Sequence, residues 1–489
     1  MKNCIFSFYI SKKETQIPQF PMKYTFGEYI IQTDSFTPYT ECNIDNRMCA
    51  IFGYAIDVVN EKTDDLPKHI LENSIDLKSV IDCEEKLGGK YILLYKDDSG
   101  YYVLGDATCS IPIYYSTGFN ECIITSNASF IIRSFDLQPD AILQKIRHGG
   151  DISQAMPFDV TQYAQIKQLI PNHYLACDEQ KAYRFVNATT KQMPISVENA
   201  VEKTLPFIQR LTKYYTDNFN IYCPITSGRD SRVVLAFLAS ILNKPVDSYT
   251  IQHKQHNGTE QDLVIPKELT SVCAMQYQKI SDVQPSAELI AQMDTWLGKD
   301  SYSLRTLTIA NTIHQHFPGV AIINGDIIGQ VGKCSLHRDI PSIFATAGYF
   351  RCKLHNYSKA SKKLLKAWMK DVKNSGEKVN TFDLFSIENR MGRWAGQTNV
   401  IYNAIGLYGL NIFNSRSIIY EWTRISRKER KKSQLHIEYI KQTANTLLTV
   451  PFEKDKKVSV KLSKMNGLFY YLASYMKYYV EYIKFHIKK

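Results

Sequence analysis

Ile221-Tyr222-Cys223-Pro224-Ile225-Thr226-Ser227-Gly228-Arg229-Asp230-Ser231-Arg232 runs directly into Val233-Val234-Leu235-Ala236-Phe237-Leu238. A β-branched and apolar run predicts a strand over 221–225, small residues predict a turn, and the apolar run that follows predicts a helix over 231–242. Small side chains let backbone N–H groups come close to an anion, and a helix N-terminus adds partial positive charge, so this turn suits phosphate or pyrophosphate. Asp230 would repel phosphate unless a cation such as Mg²⁺ bridges the two, which makes it a candidate metal ligand. Arg229 and Arg232 add charge of the opposite sign. The plainer alternative is a Ser/Gly turn that only caps a helix.

Outward from this stretch the same grammar repeats. Val201, Leu205, Ile208 and Leu211 are spaced as in a helix over 198–215, and further strands are expected at 246–251, 274–280 and 320–323. Helices are expected between them, near 286–297 and 306–316. Strand–helix alternation argues for a parallel sheet covered on both faces, a doubly wound α/β unit, followed by a mostly helical part from about 355 onward. Val320-Ala321-Ile322-Ile323-Asn324-Gly325-Asp326 places an acid at the carboxyl end of one such strand, the edge where open α/β sheets bind ligands. The run Gly325 to Ser335 superficially suggests a Walker A loop through Gly332-Lys333. It fails, because Ile327 stands where the leading glycine belongs and Cys334 replaces the Ser/Thr.

The first 190 residues read differently. Short alternating runs at 49–56, 91–95, 101–104, 111–115 and 123–125 are separated by turn signals such as Lys96-Asp97-Asp98-Ser99-Gly100. Two units follow, 1–190 strand-rich (α+β) and 191–489 α/β, as expected for a chain of 489 residues.

Eleven cysteines without a C-x-x-C pair support neither a zinc site nor a disulfide framework. No signal-peptide core and no membrane-spanning run stands out, so a cytoplasmic location is expected. Of the net charge of +11, residues 454–489 carry +7, nine lysines against Asp455 and Glu481. Aromatic residues interleave there, which predicts a terminal amphipathic helix packed on the protein; contact with an anionic membrane face is the alternative. No recognition motif joins the charge to nucleic acid. A homodimer is compatible with the sequence.

Thr226-Ser227-Gly228-Arg229-Asp230-Ser231 resembles the pyrophosphate loop of the ATP pyrophosphatase superfamily, and Arg232 is similar to the residue that follows it in asparagine synthetase-like members. Ser227 replaces the first glycine. Thr250, ending the next strand, resembles the position near the adenine, and Thr259-Glu260-Gln261-Asp262 resembles the acidic start of the following helix. Gly325-Asp326 resembles the start of the family's second acidic run, in which Asp326 matches the first acid and Gly329 stands in place of a metal-binding Asp. Phe385 to Trp394, Leu410 to Asn414 and Arg427 to Lys432 resemble the family's helical region, where a lysine, here Lys431 or Lys432, reaches the nucleotide. Gly88 to Tyr95, Leu104 to Ala107 and Ile111 to Tyr115 are similar to the strand pair late in class II glutamine amidotransferase domains, and Pro157 to Val160 with Leu169 to Leu175 are similar to the family's passage from the first domain to the second, so that the resemblance covers about residues 85–455.

The resemblance implies an Ntn-hydrolase-like αββα N-terminal unit and an ATP-binding synthetase unit. It implies an amide-forming ligase that uses ATP and Mg²⁺ to activate a small carboxylic acid as an acyl-adenylate for capture by ammonia or another amine. Thr226, Ser227, Gly228, Arg229, Asp230, Ser231, Arg232, Thr250 and Gly325 would surround the nucleotide, Asp230 would hold the metal, and Asp326 with Lys431 or Lys432 would act in the reaction. Glutaminase chemistry in that family needs an N-terminal cysteine. Here Lys2 and Asn3 precede Cys4, so that activity is expected to be lost and the unit to serve as scaffold, as in β-lactam synthetases and lasso-peptide cyclases. The competing expectation is a non-catalytic nucleotide-binding partner, motivated by Ser227 and Gly329.

Overall fold

The computed structural model describes residues 4–148, 156–187, 193–241, 247–252, 261–298, 302–452 and 467–487. The protein is a mixed α/β structure with three sheets, one of them parallel. Twelve strands are described before residue 190: β1 (Phe8–Ser11), β2 (Met22–Phe26), β3 (Tyr29–Thr33), β4 (Tyr39–Ile44), β5 (Arg47–Asp57), β6 (Leu87–Asp97), β7 (Gly100–Gly105), β8 (Tyr114–Ser116), β9 (Ile124–Thr125), β10 (Ile166–Gln168), β11 (His173–Ala176) and β12 (Lys181–Arg184). They form two antiparallel sheets, ordered β10-β8-β9-β1-β3-β2 and β12-β11-β7-β6-β5-β4.

Alternation of side chains across each strand makes both sheets two-faced. Phe8, Ile10 and Ile31 of the first sheet meet Phe52, Ile92, Leu94 and Val103 of the second in one shared core. On the outer face of the second sheet, Ile51, Tyr91 and Leu93 pack beneath helices Leu66–Glu72 and Leu77–Glu84. On the outer face of the first, Tyr9 and Ile123 pack with Phe130 and Ile131 of helix Ala128–Phe135 and with Met293 and Trp296 of helix Ala287–Leu297. The order through this part is therefore helix, sheet, sheet, helix.

The third sheet contains β13 (Ile221–Pro224), β14 (Asp247–Gln252), β15 (Gln276–Ser281), β16 (Ala321–Ile323) and β17 (Tyr408–Leu410), all parallel, in the order β15-β14-β13-β16-β17. Ile221, Cys223, Ala321 and Ile323 face a core built with helices Val197–Asn218 and Asp230–Ile241. Tyr222 and Ile322 face the opposite core, with helices Leu304–His316 and Gly396–Ala404. Helices thus cover both faces, as burial of all-parallel strands requires. The region after 355, expected to be helical, also contributes the edge strand β17. From β13 the chain winds outward through β14 and β15, then returns to β16 on the other side of β13. The carboxyl ends of β13 and β16 therefore flank the point where the winding reverses, the crevice in which open α/β sheets hold ligands.

The first twelve strands and the parallel sheet are fastened together. The Gly89 amide donates to the Asn414 carbonyl at 3.0 Å, and Ile5 to that of Asn403 at 3.0 Å. Arg416, fully buried, donates through Nε to Glu84 Oε2 at 2.6 Å and through Nη2 to the Gly105 carbonyl at 3.0 Å. Gly89 has φ +140°, and a Cβ there would meet the Tyr54 carbonyl oxygen at 2.1 Å, so close approach of β5 and β6 requires glycine.

Candidate functional site

β13 hands the chain to the helix beginning at Asp230 through five residues, Ile225 to Arg229. The Ile225 amide still donates to Tyr249 at 2.9 Å, continuing the parallel ladder, and there the ladder stops. Thr226 N–H donates to Ser231 Oγ at 3.2 Å, and Gly228 N–H donates to Thr226 Oγ1 at 3.3 Å. The two hydroxyls lie 3.2 Å apart. Hydroxyls of the loop thus occupy two amides that an anion would otherwise take. Thr226 is exposed, Gly228, Arg229, Asp230 and Ser231 are half-buried, and Ser227 is buried.

Two residues expected at the nucleotide have side chains engaged by backbone carbonyls. Arg232 is fully buried; its Nη1 donates to the carbonyls of Leu447 and Val450 at 3.1 and 2.7 Å, and its Nη2 to that of Pro451 at 3.0 Å. Its guanidinium also lies 4.1 Å from the Phe452 ring centre. It clamps the segment after residue 446 onto the helix, because on a helix entering the core position 232 points inward. Thr250 Oγ1 donates to the Ile225 carbonyl at 2.6 Å and braces the ends of β13 and β14 against each other. Thr259 and Glu260 lie outside the described residues.

Asp230 opens the helix, with its side chain about 39% exposed. Its Oδ1 lies 2.9 Å from Nε2 of the buried His436, on helix Gln434–Ala444. Burial pushes the Asp230 carboxyl up, but the His436 hydrogen bond and the charges of Lys333 and Arg229 outweigh it and hold the group below its ordinary range. Burial holds the His436 imidazole down, so near neutral pH it donates from Nε2 as the neutral ring. The other oxygen of Asp230 lies over Gly329, where a Cβ would approach it to 2.5 Å. An aspartate at 329 would have placed a second carboxylate in that contact, so Gly329 and the position of Asp230 go together.

Asp326 follows β16. Its Oδ1 accepts from Asn411 Nδ2 at 2.6 Å, and its own amide donates to Asn324 Oδ1 at 3.3 Å. Burial first, and the neighbouring charge of Asp230 as well, push its carboxyl up to about 6 despite those hydrogen bonds. Gly325 lets the strand end approach the helix start, since a Cβ there would lie 2.7 Å from the Asp230 carbonyl oxygen. Behind Asp326 lies a cavity of about 20 Å³, room for one water-sized molecule, that is also lined by Lys90, Asn399 and Asn414. Lys90 is buried; burial lowers its ammonium to about 7, and its Nζ donates to Asn403 Oδ1 at 3.0 Å and to the Gly409 carbonyl at 3.2 Å.

The two aspartates are thus brought together at the reversal point, and the C-terminal lysines are not. Lys431 Nζ is paired with Asp339 at 2.9 Å, and Lys432 is exposed at a helix end. The lysine whose charge reaches Asp230 is Lys333, acting alongside Arg229. His436, Lys333 and Asn411 were not predicted from the sequence as site residues. Asn411 lies in the quoted 410–414 stretch and Lys333 in the rejected Walker run, so both had a signal of position without one of role.

The residues present suit a divalent cation in one respect. Two carboxylates whose charges repel each other stand at adjacent strand ends, and a hard cation prefers such oxygen donors. A second cluster, Cys334, His337 and Asp383, is buried. Asp383 gives both oxygens to Arg430, at 3.1 and 2.7 Å, and that positive charge takes the place a metal would need.

Cys4 is buried, and burial followed by the charge of Asp34 pushes its thiol up to about 11. Thiolate, the nucleophilic form, is scarce at such a value near neutral pH.

No protein-family model and no curated protein matches the sequence. Among solved structures, the chain is similar to glutamine phosphoribosylpyrophosphate amidotransferase from B. subtilis, complexed with ADP and GMP, at 11% identity and a TM-score of 0.21, covering 68% of this chain and 72% of that one.

Proposed function

We propose that the protein is an ATP-dependent ligase that joins a small carboxylic acid to an amine. The observation that carries this reading is the pairing of Asp230 and Asp326 at the carboxyl ends of adjacent parallel strands, where the winding of the sheet reverses. The Thr226–Ser231 loop and Arg229 would face the phosphates, and Lys333 would offset charge on the leaving diphosphate. A substrate carboxylate oxygen attacks the α-phosphorus, the bond to pyrophosphate breaks, and an acyl-adenylate results. An amine nitrogen then attacks the acyl carbon and AMP leaves. Asp326, with a carboxyl near 6, is poised to take the proton that the amine gives up. Magnesium, held by Asp230, would supply charge neutralisation on the phosphates. The strand-rich first 190 residues, in this reading an amidotransferase-like unit without glutaminase activity, serve as scaffold.

ATP–pyrophosphate exchange with a panel of carboxylic acids tests the proposal. Exchange that requires one of the acids and disappears in Asp230→Asn is expected; wild-type exchange no higher than that of Asp230→Asn rules the ligase out.

A second reading is a nucleotide-binding protein without catalysis. It is favoured by the engagement of Asp230 with His436 and of two loop amides with hydroxyls. Calorimetry separates the two, since this reading expects ATP binding with no exchange for any acid.

A further inference from the structure

Helix Gly467–Ile487 packs only one side on the protein. Tyr471 lies 4.6 Å from Phe344 and 5.0 Å from Tyr349, ring centre to ring centre. The buried Tyr478 donates to the Asn356 carbonyl at 3.1 Å, and Lys353 Nζ donates to Ser474 Oγ at 2.9 Å. Turned away from that side are Phe469, Leu472, Met476, Val480, Ile483 and Ile487, each between 48% and 76% exposed. At 3.6 residues per turn these six fall within an arc of about 80° around the helix axis. Scattered exposed apolar residues are ordinary on a protein surface, but an outward stripe about five turns long marks a contact face.

Charge and composition select what it contacts. Lys477 and Lys484, both exposed, border the stripe on one side. Helix Lys359–Asn374 rests on the same helix, Ala347–Lys353, and exposes Lys359, Lys362, Lys363, Lys366, Lys370 and Lys373. A second copy of the stripe would bring lysine toward lysine, while the helix's own Glu481 is engaged by His355 at 2.9 Å. Tyrosines and lysines around an apolar face suit the boundary between headgroups and acyl chains, where aromatic rings settle and lysine stems reach outward. The helix is not long and apolar enough to cross a membrane, so it would lie along the surface.

We propose that this face docks the protein on an anionic lipid bilayer, with the six apolar side chains in the interface and the lysines at the headgroups. The test is co-sedimentation of the full chain with vesicles of phosphatidylcholine alone and of phosphatidylcholine with phosphatidylserine. The wild type is expected to pellet with the mixed vesicles and to bind roughly tenfold more weakly to the neutral ones. Leu472→Glu/Met476→Glu should lose vesicle binding while keeping the wild-type melting profile, because both side chains point to solvent. Lys477→Glu/Lys484→Glu, which leaves the stripe intact, should weaken binding to the mixed vesicles alone. Failure of the wild type to pellet with either vesicle overturns the proposal, as does equal pelleting of the wild type and Leu472→Glu/Met476→Glu. A wild-type dimer that these substitutions dissociate, with no vesicle binding, assigns the face to a second copy instead.

Discussion

Nε2 of His436 lies 2.9 Å from Oδ1 of Asp230 and joins helix Gln434–Ala444 to the first residue of the helix that follows β13. The hydrogen bond fixes one oxygen of the carboxylate and leaves the other over Gly329. Replacing His436 with Leu removes the donor at similar volume. A hydrogen bond to a charged group contributes about 1.5–3 kcal/mol when buried; because Asp230 is part exposed, solvent screening reduces the expected loss to about 1 kcal/mol. The sign follows from a carboxyl held below its unfolded value: the contribution is full above about pH 4 and fades as acid protonates Asp230. Urea unfolding at pH 7 and at pH 3 checks this, and a deficit in His436→Leu that is as large at pH 3 would assign the loss to packing.

Gly329→Ala is the complementary change. The added methyl would stand 2.5 Å from Asp230 Oδ2, which must swing away or the helix must shift. Alanine suits a helical backbone, so propensity favours the substitution and only the contact opposes it. Overpacking of this kind costs about 1–3 kcal/mol. Under the ligase reading, exchange should fall at least tenfold. A Gly329→Ala variant as stable and as active as the wild type would show that Asp230 has room to move.

The sequence already carried the parallel sheet, and for a physical reason. The expected segments 221–225, 246–251, 274–280 and 320–323 contain β13 to β16 or overlap all but their last residue, because strands buried on both faces are short apolar runs between helices. β17 escaped notice: three residues, Tyr408-Gly409-Leu410, join the sheet only because β16 offers them a partner. The first four strands escaped it too. β2 and β4, at the sheet edges, are largely exposed and mix polar with apolar residues, so their pairing partners define them more than their own pattern does. Asp230 and Asp326 were legible because each lies in the turn that follows a strand's carboxyl end, Asp230 at the start of the next helix. His436 was not, since its partner lies 206 residues away, and neither was the inward turn of Arg232, which depends on where the chain near Val450 returns.

Lys333 and Lys431 make opposite predictions. Lys431 is held by Asp339 at 2.9 and 3.0 Å, whereas the charge of Lys333 acts on Asp230 and His436. Lys333→Met should therefore reduce ATP–pyrophosphate exchange by about tenfold to a hundredfold, the range of one charge-assisted phosphate contact. Lys431→Met should change it less than about threefold, as a partly exposed ion pair adds little. The reverse ranking would return the catalytic lysine to the segment 427–432.

Asp326 offers a test in which stability and activity move in opposite directions. Burial and the neighbouring Asp230 push its carboxyl up to about 6, against about 3.9 in an unfolded chain. Between those values the folded protein holds a proton that the unfolded chain has released, so stability falls as pH rises from about 4 to about 6, and the full penalty remains above that. Two units correspond to roughly 2–3 kcal/mol. Asp326→Asn removes the ionisation and keeps an oxygen for Asn411 Nδ2. The variant should gain that amount over the wild type at pH 7.5 and gain nothing near pH 3.5, as read from urea midpoints at the two values. If Asp326 takes the amine's proton, the same variant should lose amide formation while retaining ATP–pyrophosphate exchange, because activation precedes the proton transfer. A carboxylate kept in place at a cost to stability is what a working site requires, and a structural residue would give the gain without the loss of product. Asp326→Asn melting below the wild type at pH 7.5 would mean that the carboxylate stabilises the fold, and its role as base would then have no support from the pH dependence.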